Sequence, residues 1–116
     1  MFVYDQMKEI VKHNVRGGTG EVRCRDYLTE PPTGMKFALF GMNEMLPGAT
    51  IPEHQHTEDA EFYFIVSGAG TGFHNGNKFP VKTGDGWLCL QGETHGIFNT
   101  THPEQKLVFV SLFFRQ

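Results

Sequence analysis

The chain has 116 residues, enough for one domain with its own core and too few for two. A formal net charge of -3 and a pI near 6.0 provide no broad cationic surface for nucleic acid or an anionic membrane, so the expected partners are small molecules or other protein chains. Fourteen glycines, six prolines and eleven phenylalanines predict short strands cut by turns and little helix, an all-β fold.

In chain order, the N-terminal stretch carries scattered charges and lacks the apolar run of a signal peptide. Nowhere do eighteen apolar residues follow one another, so a soluble cytoplasmic chain is expected. Tyr4 to Lys12 has a weak helical pattern in Met7, Ile10 and Val11, and reads equally well as an arm lying on another subunit. Residues 1–20 are accordingly expected to pack on the domain or on a partner, with 1–116 forming a single domain. A strand is predicted from Glu21 to Leu28, closed by the turn Glu30-Pro31-Pro32-Thr33-Gly34. Met35 to Leu46 is apolar with little alternation and reads as a strand covered on both faces, ended by Pro47-Gly48.

Strands are predicted next at Thr50 to His56 and Glu61 to Ser67. In the second, Phe62, Phe64 and Val66 share one face and Tyr63 and Ile65 the other, so neither face is expected to meet bulk water. Asn75-Gly76 predicts a type I′ hairpin between Thr71 to His74 and Asn77 to Val81. Strands from Trp87 to Leu90, His95 to Asn99 and Lys106 to Phe114 complete the set. The last is apolar on both parities, which favours a homodimer; the alternative is an N-terminal segment folded over that face. Cys24 and Cys89 lie far apart among strand residues and read as buried, reduced thiols.

The chemistry concentrates in histidines and one glutamate. His54 and His56 are one residue apart, so a strand places both imidazoles on one face. A reversal through Thr57-Glu58-Asp59-Ala60 predicts an antiparallel hairpin that puts Glu61 beside His56, with His95 brought in from a later strand. Glu58 and Asp59 are expected in solvent, as are His13, His74 and His102. Nitrogen and oxygen donors without thiolate suit one divalent ion among Mn, Fe, Co, Ni, Cu and Zn. Tyr63 shares the parity of Glu61 and is the candidate catalytic acid or donor, or else a core aromatic; Ile65, Ile97 and Asn99 are expected to line the same pocket. Phe37, Phe40, Met42, Met45 and Phe98 are candidates for its apolar wall, and Arg23 with Arg25 for an anion clasp, although paired surface arginines are the commoner finding.

These residues give the chain a resemblance to the cupins. Gly48, His54, His56, Glu61 and Gly68 meet every spacing of that family's first motif; Gly84, Gly92, His95 and Asn99 meet the second, with Leu90 in place of its usual proline. The resemblance implies a double-stranded β-helix, or jelly-roll barrel, with a metal in its mouth held by His54, His56, Glu61 and His95, and Asn99 as a brace rather than a ligand. It also implies a metal-dependent enzyme acting on a small oxygenated molecule, of dioxygenase, isomerase or lyase type. The alternative from another class is a non-catalytic module that binds or senses a small ligand.

Overall fold

Turn chemistry sets the strand boundaries. At Asn75-Gly76 both residues have positive φ (50 and 81), the requirement of the type I′ turn expected there. The structure, a computed structural model, describes residues 1–31 and 37–115. Most of the turn after Glu30, the first two residues of the strand predicted from Met35, and the side chain of Phe37 lie outside the described residues. The strands are β1 (Ile10–His13), β2 (Glu21–Leu28), β3 (Phe37–Met45), β4 (Thr50–Gln55), β5 (Ala60–Ser67), β6 (Ala69–His74), β7 (Asn77–Lys82), β8 (Gly86–Cys89), β9 (Thr94–Phe98) and β10 (Leu107–Phe114).

They form two antiparallel sheets, one of order β1-β2-β3-β10-β5-β8 and the other β4-β9-β6-β7. The sheets face each other as the expected all-β jelly roll. The helical pattern near the N-terminus resolves otherwise: Tyr4–Gln6 makes one 3-10 turn and Ile10–His13 pairs with β2, Ile10 opposite Cys24. All four residues of β1 are exposed, so there is no buried stripe to hold a helix, and the open edge of β2 captures the segment instead.

Inward side chains of both sheets meet in one core: Val22, Met45, Ile65, Leu107 and Phe109 from the larger, Ile51, Val81 and Ile97 from the smaller. Each such buried aliphatic or aromatic side chain contributes about 1.5–3 kcal/mol. Trp87 on β8 reaches across, its Nε1 donating to the Phe73 carbonyl at 3.3 Å. Asn99 is buried and its Nδ2 donates to the carbonyls of Met45, Leu46 and Gln105 at 2.8–3.1 Å. It braces the strand ends, as anticipated, and is not among the described residues lining the cavity beside His54 and His56.

One irregularity positions everything that follows. In the β4–β9 pair Ile51 faces Ile97 while His54 faces His95, so Pro52 and Glu53 together oppose only Gly96. This β-bulge lets Ile51 and His54 both point inward, where strict alternation from Ile51 would have turned Glu53 and Gln55 to the core. Gly96 makes the room: a Cβ there would lie 2.7 Å from the Ile51 carbonyl oxygen and 2.8 Å from the Glu53 nitrogen. Proline is suited to the bulge because it has no N–H to leave unpaired.

Candidate metal centre

His54, His56, Glu61 and His95 are brought together inside the barrel. One potential ligand atom from each falls within 4.8 Å of all the others. The route differs from the hairpin expected from sequence: β4 pairs with β9, and β5 lies in the opposite sheet. The chain therefore crosses between sheets after His56, and Glu61 meets the histidines across the barrel rather than beside them. His54 and His95 are the directly opposed pair.

Two of the three imidazoles are oriented by their other nitrogen, whereas His95 Nδ1 is buried without a hydrogen-bond partner among the described residues. The Pro52 carbonyl accepts from His54 Nδ1 at 2.8 Å, and the Asp59 carboxylate accepts from His56 Nδ1 at 2.6 Å. These bonds put the proton on Nδ1 and leave the Nε2 lone pairs for the centre. Nε2 of His56 and of His95 stand 2.8 Å apart, with Glu61 Oε1 at 3.1 and 3.0 Å from them. Donors about 2.1 Å from a common ion and at right angles would stand about 3 Å apart, so the spacing suits a single first-row cation. The Nε2 lone pairs of His54 and His56 and the Glu61 carboxylate converge beside His95 Nε2, with no Lys or Arg paired to that carboxylate among the described residues, and so fit a cation there.

The proton affinities follow the packing. Burial pushes His54 down to about 4 and lowers His95, which keeps both neutral. His56 is raised, first by its bond to Glu61. Burial acts to raise Glu61, but hydrogen bonds from His56 and His95 in their protonated, metal-free forms outweigh it and the carboxyl ends below its ordinary value. Asp59, assigned to solvent from its place in a reversal, is the residue sequence reasoning missed here; its position three residues after His56 in a loop was the available signal. Glu58 is exposed, as are His13 and His102, while half-buried His74 bonds Glu93 at 3.3 Å, away from the cluster.

The cluster opens on a cavity of about 230 Å³. Tyr63 lines it, buried, with its ring stacked on His95 at 4.2 Å between centroids. Its hydroxyl is held well above the ordinary phenol value by burial and by the Glu61 charge, so it stays protonated. Ile65 and Ile97 are buried in the core beneath. The apolar wall is Val15, Val22, Leu39, Ile51, Phe109 and Phe113. Met45 belongs to the core, Phe98 packs on Phe73, and Phe40 and Met42 lie on the outer face. The weak alternation of 35–46 concealed which parity of β3 turned inward. Polar groups on the wall include Asn43 and Ser111, whose side chains hydrogen-bond at 3.0 Å. Arg23 and Arg25 form no anion clasp: they pair with Glu21, Glu9 and Glu44 outside the barrel.

Comparison with known proteins gives a consistent result. Residues 41–111 match the Cupin domain family. The oxalate-binding protein of Thermotoga maritima is 34% identical over 97 residues, covering 84% of this chain and 80% of that protein. The polyketide synthase CurC of Streptomyces cyaneus is 30% identical over 103 residues; the match covers 89% of this chain and 64% of that longer protein. Among solved structures, a Thermotoga maritima protein described as a predicted oxalate decarboxylase superposes with a TM-score of 0.90 at 29% identity, over 100% of this chain and 99% of that one. The polyketide cyclase RemF of Streptomyces resistomycificus shares the fold, with a TM-score of 0.76 at 20% identity over 100% and 79% of the two chains.

Proposed function

Because the chain belongs to the Cupin domain family, we propose that it is a metal-dependent enzyme for a small oxygenated organic molecule, with one divalent transition-metal ion held by His54, His56, Glu61 and His95. The observation that carries this reading is the convergence of three imidazoles and one carboxylate, of which His54, His56 and Glu61 line a half-enclosed cavity and His95 lies buried behind them. A bound ion would supply Lewis acidity and open coordination positions to a chelating substrate. The protein's own groups define the rest of the site. Asp59 and the Pro52 carbonyl hold the imidazole tautomers, Val22, Leu39, Phe109 and Phe113 displace water from the cavity, and Tyr63 offers a neutral hydroxyl as donor. A 230 Å³ cavity suits a molecule of a few carbon atoms. The similarity to an oxalate-binding protein favours an oxygen-rich acid.

The second reading, a non-catalytic binder, is favoured by one observation: the described cavity wall holds no histidine outside the cluster to move a proton. Both readings are tested on protein purified without added metal. About one equivalent of metal is expected in the wild type and little in the His54→Ala, His95→Ala double variant; full occupancy in the double variant would overturn the ligand assignment. Oxygen uptake or carbon dioxide release from small diols and organic acids would then mark an enzyme, and stoichiometric binding without turnover a binder.

A homodimer is part of the proposal. Phe62, Phe64, Val66, Leu88, Val110 and Leu112 share the outer face of the larger sheet; Leu88 is exposed in the single chain, as are Phe64 and Val66, for which sequence reasoning expected cover. Ion pairs of both signs, Arg25 with Glu9 and Lys106 with Glu44, lie towards one side of this face. An apolar centre with a mixed-charge margin suits a second copy of the same surface.

A further inference from the structure

The cavity holds more charge than the metal cluster uses. Lys12 and Arg16 both line it, together with Asp26. Arg23, Arg25 and Arg115 each have a carboxylate within ion-pair distance; among the described residues Arg16 has none, and neither has Lys12. Arg16 also sits in the left-handed region, with φ 55 and ψ 30, a conformation that favours glycine and asparagine. Asn14 beside it, at φ 53, is such a residue and Arg16 is not.

The turn carrying Arg16 is clamped to the strand that carries His54. Thr19 and Thr50 exchange backbone and hydroxyl hydrogen bonds at 2.8–3.0 Å, and the Thr19 hydroxyl donates to the Gly48 carbonyl at 3.0 Å. The fit leaves no space for side chains at its base: a Cβ on Gly18 would fall 2.0 Å from the Thr50 carbonyl oxygen, and one on Gly20 2.7 Å from Ala49 Cα. The turn thus fixes Arg16 on the wall of the cavity that His54 and Tyr63 also line.

Formal charge then points to the ligand. A thiol such as Cys24 and a phenol such as Tyr63 are neutral near pH 7, and imidazoles bound to an ion are neutral. Among the lining residues Glu61 and Asp26 offset Lys12 and Arg16, so a divalent ion leaves the cavity wall two positive charges in excess, with the Asp59 carboxylate behind His56 the one anion set back from it. We infer that the Asn14–Gly18 turn is a fixed anion gate, in which Arg16, assisted by Lys12, selects a small dianionic molecule and docks the end that the metal does not hold. This rests on the metal reading of the same site and adds the substrate's charge class and a specificity-determining residue outside the ligand set.

The test exploits the strained backbone. Arg16→Gly and Arg16→Asn suit the left-handed conformation, so their melting temperature should equal or exceed that of the wild type. Co(II)-loaded proteins are titrated with oxalate as the dianion, glycolate as the monoanion and imidazole as a neutral ligand, following the cobalt absorption and measuring retained metal. The expected result is unchanged metal content, oxalate affinity weakened about tenfold or more, glycolate weakened less and imidazole unchanged, with Arg16→Lys intermediate for oxalate. Unaltered oxalate affinity, or equal loss of oxalate and imidazole, would overturn the gate while leaving the metal reading intact. So would a wild type that prefers glycolate. A wild type that takes up no cobalt sinks the metal reading, and the gate with it.

Discussion

His54 and His56 carry the same side chain on the same strand face, yet their surroundings drive their proton affinities apart. Burial takes His54 to about 4; bonding to Glu61, assisted by Asp59, raises His56. In metal-free protein the unfolded chain binds a proton at His54 below its ordinary value of about 6.5, whereas the folded chain refuses it until about 4. The folded state therefore loses stability as pH falls through that window, by up to about 1.4 kcal/mol per pH unit for one proton. His95, also lowered by burial, adds to the same slope. His56 does not: its raised value confers stability that is fully present below 6.5 and lost only as pH rises through its folded value. Glu61, lowered in the fold, begins to contribute only near its ordinary value of 4.5 and below. Urea unfolding of chelator-treated protein between pH 4.5 and 6.5 should show the slope, and His54→Gln should remove about one proton's share of it; an identical slope in that variant would show that His54 is not shielded. The clustered residues themselves were legible because the histidine pair, the glutamate and the later histidine stand at distinctive intervals. Asp59 and Arg16 were not, because their roles depend on a loop trajectory and a left-handed turn that no periodicity announces.

Element by element, the sequence located the strands well and their partners poorly. Alternation says which residues share a face, so His54 with His56 and Glu61 with Tyr63 were assigned correctly. It does not say which strand lies alongside, and chain proximity suggested a β4–β5 hairpin where the chain in fact changes sheets. The bulge at Pro52–Glu53 escaped notice because the parity of His54 and His56 relative to each other is the same with or without it. Its structural dependence falls on Gly96, whose missing side chain lets two residues of β4 crowd against one of β9. A methyl group at Gly96 would press on the backbone of Ile51, Pro52 and Glu53 at 2.7–2.9 Å, and backbone cannot rotate aside as a flexible side chain can. Gly96→Ala should therefore cost about 1–3 kcal/mol, a fall of several degrees in melting temperature, and should reduce bound metal because His54 and His95 lie next to the distortion. Scanning calorimetry together with metal analysis checks this; a variant with wild-type melting and full metal would mean the bulge is not held in place by the glycine.

At the scale of the molecule, glycine spacing made the architecture readable: Gly48, Gly68, Gly84 and Gly92 of the two motifs all have positive φ, so the residues that mark the family also turn its strands. Leu90, standing in the proline position, leaves the following turn intact, with its N–H donating to Glu93 at 2.8 Å and its carbonyl accepting from the Glu93 N–H at 3.0 Å. What spacing does not reveal is which sheet face meets water. β10 is apolar on both parities; its inward residues Leu107 and Phe109 are in the core, while Val110 and Leu112 lie outside with Phe62 and Phe64 opposite them. The N-terminal segment covers one part of that face, with Phe2 packed on Tyr27, Tyr27 on Phe40 and Tyr4 under the Arg25 guanidinium, but β1 pairs along the edge of the sheet and Phe64, Val66 and Leu88 stay exposed. A second copy remains the cover of matching chemistry. Replacing Phe64 and Leu88, neighbouring exposed residues on that face, by glutamate would place like charges against each other across a two-fold contact and forfeit the burial of two large side chains, worth roughly 1.5–3 kcal/mol each. Sedimentation at micromolar concentration should find the wild type dimeric and the Phe64→Glu, Leu88→Glu variant monomeric, with equal metal content because both side chains point away from the cluster. A monomeric wild type, or a variant that remains dimeric, would show that the outer face is left to solvent or that the pairing occurs elsewhere.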